Sequence, residues 1–288
     1  MTGENYTFET PDGLTLHATV RRHPAAGVNA PSIICLPGLT RNERDFEGLA
    51  GWLTSRAFTG PACEVVALSL RGRGASDRDP DYSHYHPSIY AADVKALMEA
   101  RGLTDALFIG TSLGGIVTML IAANNPDAVS GAVLNDIGPQ LAPEGLARIA
   151  GYVGGSGPWD SWAEAAQGIK AINGVAFPKR HDSFWQIFAR RVCTMTDRGI
   201  ELDYDTGIAK ALAEAGPAPS LEPGFAALAG PLLCVRGALS DLLTREIVST
   251  MKDVQPQMDV CEIANTGHAP TLEEPAARRA IQKWLERV

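Results

Sequence analysis

Short apolar runs alternate with amphipathic stretches along most of this chain, and that alternation limits the folds open to it. Residues 32–36, 65–68, 106–109 and 131–134 are apolar at nearly every position. A strand reads this way when both of its faces are buried, as in a parallel sheet covered by helices. Between these runs, residues 42–55, 88–101 and 113–123 carry apolar residues at helical spacing. Phe46, Leu49, Trp52 and Leu53 share one such face. The pattern resumes near the end, with strands at 231–235 and 258–263 and helices at 244–253 and 275–288. At the start, residues 5–10 and 14–22 flank Pro11-Asp12-Gly13 and read as a hairpin. Together these segments predict an α/β fold: a mostly parallel, eight-stranded sheet with helices on both faces.

The middle of the chain breaks the alternation. From 140 to about 221 the sequence suggests helices near 159–172 and 183–196 and no strands. It holds Trp159, Trp162 and Trp185, three of the five tryptophans, which suggests a separate helical layer. Gly216-Pro217-Ala218-Pro219 reads as the linker back, because Pro and Gly interrupt regular structure. The expected division is a core of residues 1–139 and 219–288 with a helical cap at 140–218.

Gly110-Thr111-Ser112-Leu113-Gly114 fits the pattern G-x-S-x-G. Chance alone would place such a match in about one shuffled chain of this composition in seven. Its context is far more specific, since an apolar strand runs directly into it and a helix directly out. A turn that tight strains the central residue and requires neighbours without bulk. It lifts the Ser112 hydroxyl off the sheet and leaves the Leu113 N–H free at a helix start. Serine needs a base to act as a nucleophile. Of six histidines, His268 in Thr266-Gly267-His268 follows the last strand and so reaches the sheet edge where Ser112 stands. An acid should orient that imidazole. Asp241, in the loop after 232–235, is selected by its place in the order Ser, Asp, His. Asp136, after the preceding strand, is its rival at the same edge.

These pieces, with Leu36-Pro37-Gly38-Leu39 and Arg71-Gly72-Arg73-Gly74-Ala75-Ser76, resemble the α/β-hydrolase superfamily over nearly the whole length. The resemblance implies a serine hydrolase with the triad Ser112, Asp241 and His268. It also implies an oxyanion hole made by the backbone N–H groups of Leu39 and Leu113, and no metal or organic cofactor. Many members have His-Gly where this chain has Pro37-Gly38, and Asp where Ser69 stands. Ester cleavage through an acyl-enzyme is the expected reaction. The layout is also similar to meta-cleavage-product hydrolases, so carbon–carbon cleavage of a diketone stays open, as does lactone hydrolysis. Epoxide or haloalkane opening is disfavoured, because those members carry Asp at the elbow. A ligand-binding protein without catalysis is the non-enzymatic alternative.

Composition narrows the partners. A net charge of −8 with no basic run argues against nucleic acid and anionic membranes, and leaves a small-molecule substrate. The cap aromatics suggest a largely apolar pocket, although Trp159, Trp162, Trp185, Phe184, Phe188 and Tyr152 also suit the cap's own core. Arg41 and Arg44 flank the oxyanion loop, where they would meet a substrate carboxylate or open a solvated helix. Five cysteines in no metal-binding spacing read as reduced core thiols. With no leader-like start, they point to a cytoplasmic location.

Overall fold

The computed structural model describes residues 3–216 and 220–288. The first half runs β1 (Glu4–Glu9), β2 (Thr15–Arg22), β3 (Ser32–Leu36), α1 (Glu47–Leu53), β4 (Glu64–Leu68), α2 (Pro87–Ala100), β5 (Ala106–Thr111), α3 (Leu113–Asn124) and β6 (Val129–Asn135). An insertion then contributes α4 (Pro143–Tyr152), α5 (Trp162–Asn173), α6 (Asp182–Val192), β7 (Cys193–Thr196), β8 (Gly199–Leu202) and α7 (Gly207–Glu214). The chain returns through α8 (Glu222–Ala226), β9 (Leu232–Gly237), α9 (Arg245–Val254), β10 (Asp259–Ile263) and α10 (Pro275–Leu285).

Eight strands form one sheet in the order β1-β2-β4-β3-β5-β6-β9-β10. Only the β1–β2 and β2–β4 pairs are antiparallel. Along β3, β4 and β5, successive side chains enter different cores, as a two-residue period requires. Ile33, Cys35, Val65, Ala67, Leu107 and Ile109 meet Leu53 of α1 and Trp284 of α10. Ile34, Leu36, Val66, Leu68 and Phe108 meet Tyr90 of α2, Val117 of α3 and Met251 of α9. Both strand faces are therefore buried, and this explains the unbroken apolar runs. The thiols at Cys35, Cys63, Cys193 and Cys234 are buried and free. Burial pushes the Cys63 and Cys193 thiols up to about 12, far from thiolate formation.

The insertion has its own cluster, in which Trp185, Phe188, Ala189 and Ile200 are buried. It differs from the all-helical expectation in one respect. The helix expected to reach 196 stops at Val192, and Cys193–Thr196 pairs antiparallel with Gly199–Leu202. Thr194 and Thr196 are β-branched and favour a strand, and Gly199, at φ 125°, lets the chain turn. The expected linker falls mostly on residues 217–219, outside the described residues.

Beyond β4, the buried Arg71 guanidinium donates to Asp93 at 2.5 and 2.8 Å, to Asp79 at 2.6 Å and to Asp12 at 2.7 and 3.1 Å. It joins the β1–β2 turn, the loop after β4 and α2. Arg71→Met should lower unfolding stability by about 3–5 kcal/mol, because it strands buried carboxylates; urea denaturation measures this.

Candidate active site

The carboxyl ends of β3, β4, β5, β6, β9 and β10 share one edge of the sheet, and the site is built from the loops leaving them. At the end of β5 the chain turns sharply into α3. Ser112 adopts φ 51° and ψ −113°, a conformation that L residues rarely take. A side chain at Gly114 would come within 2.1 Å of the Leu36 carbonyl oxygen, and one at Gly110 within 2.5 Å of the Gly115 nitrogen. The glycines of the motif therefore let the turn lie against β3 and against its own helix. The Ser112 N–H donates to the Asn135 carbonyl at 3.0 Å, which ties the strained residue to β6.

His268 reaches the serine from the loop after β10, its Nε2 2.9 Å from Ser112 Oγ. Its Nδ1 lies 2.8 Å from Oδ2 of Asp136. An ionised carboxylate only accepts, so Nδ1 carries the proton and Nε2 is left to accept from the hydroxyl. Asp136 is fully buried and follows β6 directly, at φ 55°. Its carboxylate also accepts from the Gly237 N–H at 2.7 Å and the Ser240 hydroxyl at 2.6 Å. Three donors offset the cost of burying it.

The structure thus sets Asp136, not Asp241, behind the histidine, and the sequence expectation is corrected. Asp241 lies farther along the loop after β9 and accepts two hydrogen bonds from Arg148 of α4, at 2.5 and 2.8 Å. The Arg148 guanidinium holds the Asp241 carboxyl below its ordinary range, burial opposing it. Nor does Asp241 cap the following helix, since Thr244 caps it by accepting from the Ile247 N–H at 3.2 Å.

Two backbone N–H groups adjoin the serine. Leu113 opens α3, so its N–H has no acceptor within the helix. Leu39 follows Gly38, where an added methyl would sit 3.8 Å from Ser112 Cβ. Neither N–H donates to a group among the described residues. Arg73, from the loop after β4, donates from Nε to the Leu39 carbonyl at 3.0 Å and from Nη1 to Tyr90 Oη at 3.0 Å, and so holds this loop. Ser69, where many α/β-hydrolases have Asp, donates its hydroxyl to Glu43 and accepts from the Glu43 N–H at 3.3 Å. Asn135 links the elbow to the histidine loop, donating to Thr111 Oγ1 at 3.0 Å and the Pro270 carbonyl at 2.9 Å.

Ser112 and His268 line a cleft whose empty space, together with the open solvent at its mouth, is about 760 Å³. The insertion supplies one wall through Ile149, Tyr152, Phe177 and Phe188. Among the described residues no tryptophan lines it; Trp185 is in the insertion's aromatic cluster beside Phe184. Arg41 is in the wall, whereas Arg44 turns away to pair with Asp203. Sequence reasoning missed Arg191 and Phe177, also in the wall, and nothing in the helical pattern separates Arg191 from its neighbour Arg190. Among the described residues, Asp12, Asp79 and His84 have metal-like spacing, but the Arg71 guanidinium donates to both carboxylates. No helix of the described residues is long and apolar enough to cross a membrane.

The comparisons agree with this architecture. The model of the Alpha/beta hydrolase family matches residues 33–280. A 3-hydroxybutyrate-oligomer hydrolase of Cupriavidus necator is 31% identical over 259 residues, 86% of this chain and 86% of its own. The 2-(acetamidomethylene)succinate hydrolase of Mesorhizobium japonicum is 25% identical over 243 residues, 83% of this chain and 82% of its own. A crystal structure of an alpha/beta hydrolase from Novosphingobium aromaticivorans superposes with a TM-score of 0.92 at 39% identity, covering 100% of this chain and 99% of that one.

The Arg148–Asp241 pair joins the insertion to the core at a partly exposed position. Arg148→Met and Asp241→Asn should each cost about 1 kcal/mol or less, and the double variant should cost no more than the larger single loss. A double-mutant cycle by urea denaturation tests this.

Proposed function

Because the chain belongs to the alpha/beta hydrolase family, we propose that it is a serine hydrolase of small carboxylic esters, with Ser112, His268 and Asp136 as its triad. The observation that carries this reading is the continuous hydrogen-bonded line from Asp136 Oδ2 through the imidazole to Ser112 Oγ, opening on the cleft. Ester bonds also join the units of the oligomer named for the relative from Cupriavidus necator.

In the proposed reaction, His268 Nε2 takes the hydroxyl proton as Ser112 Oγ attacks the ester carbonyl. The oxyanion that forms faces the Leu113 and Leu39 N–H groups, and one such donor stabilises the transition state by about 3 kcal/mol. Asp136 stays ionised and stabilises the imidazolium. The imidazolium then protonates the departing alkoxide, which leaves an acyl-Ser112. Water, deprotonated by the same Nε2, attacks the acyl carbon, and the acid leaves as the serine regains its proton. In this reading the insertion, the cap expected at 140–218, roofs the cleft and limits water around the acyl-enzyme. The site holds no carboxylate in place of Ser112, so the covalent step is acylation and not alkylation.

A fluorophosphonate probe should label Ser112, and Ser112→Ala should abolish both the labelling and the turnover of p-nitrophenyl butyrate, a drop in kcat of at least about 10³-fold. Turnover that survives the substitution would exclude this assignment.

A further inference from the structure

Two arginines line the cleft, and they come from different parts of the chain. Arg41 follows the Leu39 loop, and Arg191 stands on α6 of the insertion. Arg41 lies over the Phe188 ring, its Cζ 4.1 Å from the centroid, and donates from Nη2 to Asp45 Oδ1 at 2.7 Å. Its Nε is buried with no partner. The Arg191 Nη1 approaches Glu273 Oε1 to 2.7 Å, yet that oxygen accepts no well-aligned hydrogen bond. The Arg191 Nε is also buried without a partner. Each guanidinium has five N–H donors in a planar fork that suits a carboxylate. Of those ten donors, one on Arg41 Nη2 has a hydrogen-bond acceptor, Arg191 Nη1 has an ion-pair contact, and the two Nε groups have no partner.

We propose that Arg41 and Arg191 together receive a free carboxylate of the substrate, so that the site acts on short esters that also bear an acid group. The inference rests on the ester-hydrolase reading of Ser112 and specifies the substrate class of that same site. Asp45 and Glu273 are on the core; they hold the two guanidiniums in place and offset part of their charge. A substrate carboxylate in the cleft would accept from the guanidiniums that line its wall. Ile149, Phe177 and Leu272 complete the wall and suit a short aliphatic chain joining ester to acid. Arg191 belongs to the insertion and Arg41 to the core, so an anion held by both also bridges the two across the cleft. The pocket is therefore less apolar than the aromatic content of the insertion suggests.

The test is protection of Ser112 from a fluorophosphonate probe by glutarate, with neutral glutaramide as the isosteric control. Glutarate should slow labelling at concentrations at least about tenfold lower than glutaramide requires. Arg191→Gln and Arg41→Gln should each remove most of that difference, and Arg191→Lys should keep part of it, since it retains charge and loses the fork. The circular dichroism spectrum of each variant identifies any that fails to fold, and the second arginine supplies an independent reading. Equal protection by the two compounds, or a glutarate effect unchanged in both folded variants, would overturn the anchor while leaving the serine assignment standing. If the native protein shows no Ser112 labelling at all, the serine-hydrolase reading fails and this inference fails with it.

Discussion

A buried carboxylate at the end of β6 organises the edge of the sheet where the candidate site lies. Asp136 is withdrawn from water and must find donors inside the protein. It finds them on three segments: the Gly237 N–H at the end of β9, the Ser240 hydroxyl in the following loop, and His268 beyond β10. Satisfying one charge therefore fixes the mutual positions of three loops. His268 in turn aligns on Ser112, which β6 also holds through the Asn135 carbonyl. The strained serine and the buried acid thus leave adjacent strands, β5 and β6, whose register pairs Thr111 with Asn135.

Other contacts set the surroundings of that line. Arg73 reaches from β4 to the carbonyl of Leu39, so the β3 loop is shaped by its neighbour as well as by its own turn. The insertion is attached at several points of the same edge. Arg148 grips Asp241, Arg191 approaches Glu273, and the Gly267 N–H beside the histidine donates to the Ala176 carbonyl at 2.7 Å. The segment that walls the cleft is therefore anchored to the loops after β9 and β10, the second of which carries His268. Any loosening of it would reach His268 through one peptide unit.

The sheet was legible in the sequence because its strands are buried on both faces, which leaves unbroken apolar runs. Ser112 and His268 were legible for a related reason: a strand precedes each, and each then lies at a predictable edge. The acid was not. Asp136 and Asp241 both follow strands at that edge, and sequence order does not say which side chain reaches the imidazole. What separates them is three-dimensional, since Asp136 leaves β6 beside His268 while Asp241 lies within reach of an arginine from α4. The β7–β8 hairpin was missed because four-residue strands directly after an amphipathic helix read as more helix. Arg191 was hidden for the same reason, as one charge among several on α6, and its place in the cleft depends on how the insertion folds over the core.

The most direct measurement of the account compares kcat for p-nitrophenyl butyrate in Asp136→Asn and Asp241→Asn. Asparagine at 136 cannot hold the imidazole in the tautomer that accepts from Ser112, so kcat should fall by about 10³- to 10⁴-fold. At 241 the change touches the Arg148 contact, and kcat should stay within about threefold of the native value. A larger loss at 241 than at 136 would contradict the assignment of the acid, and with it the claim that Asp136 organises the site.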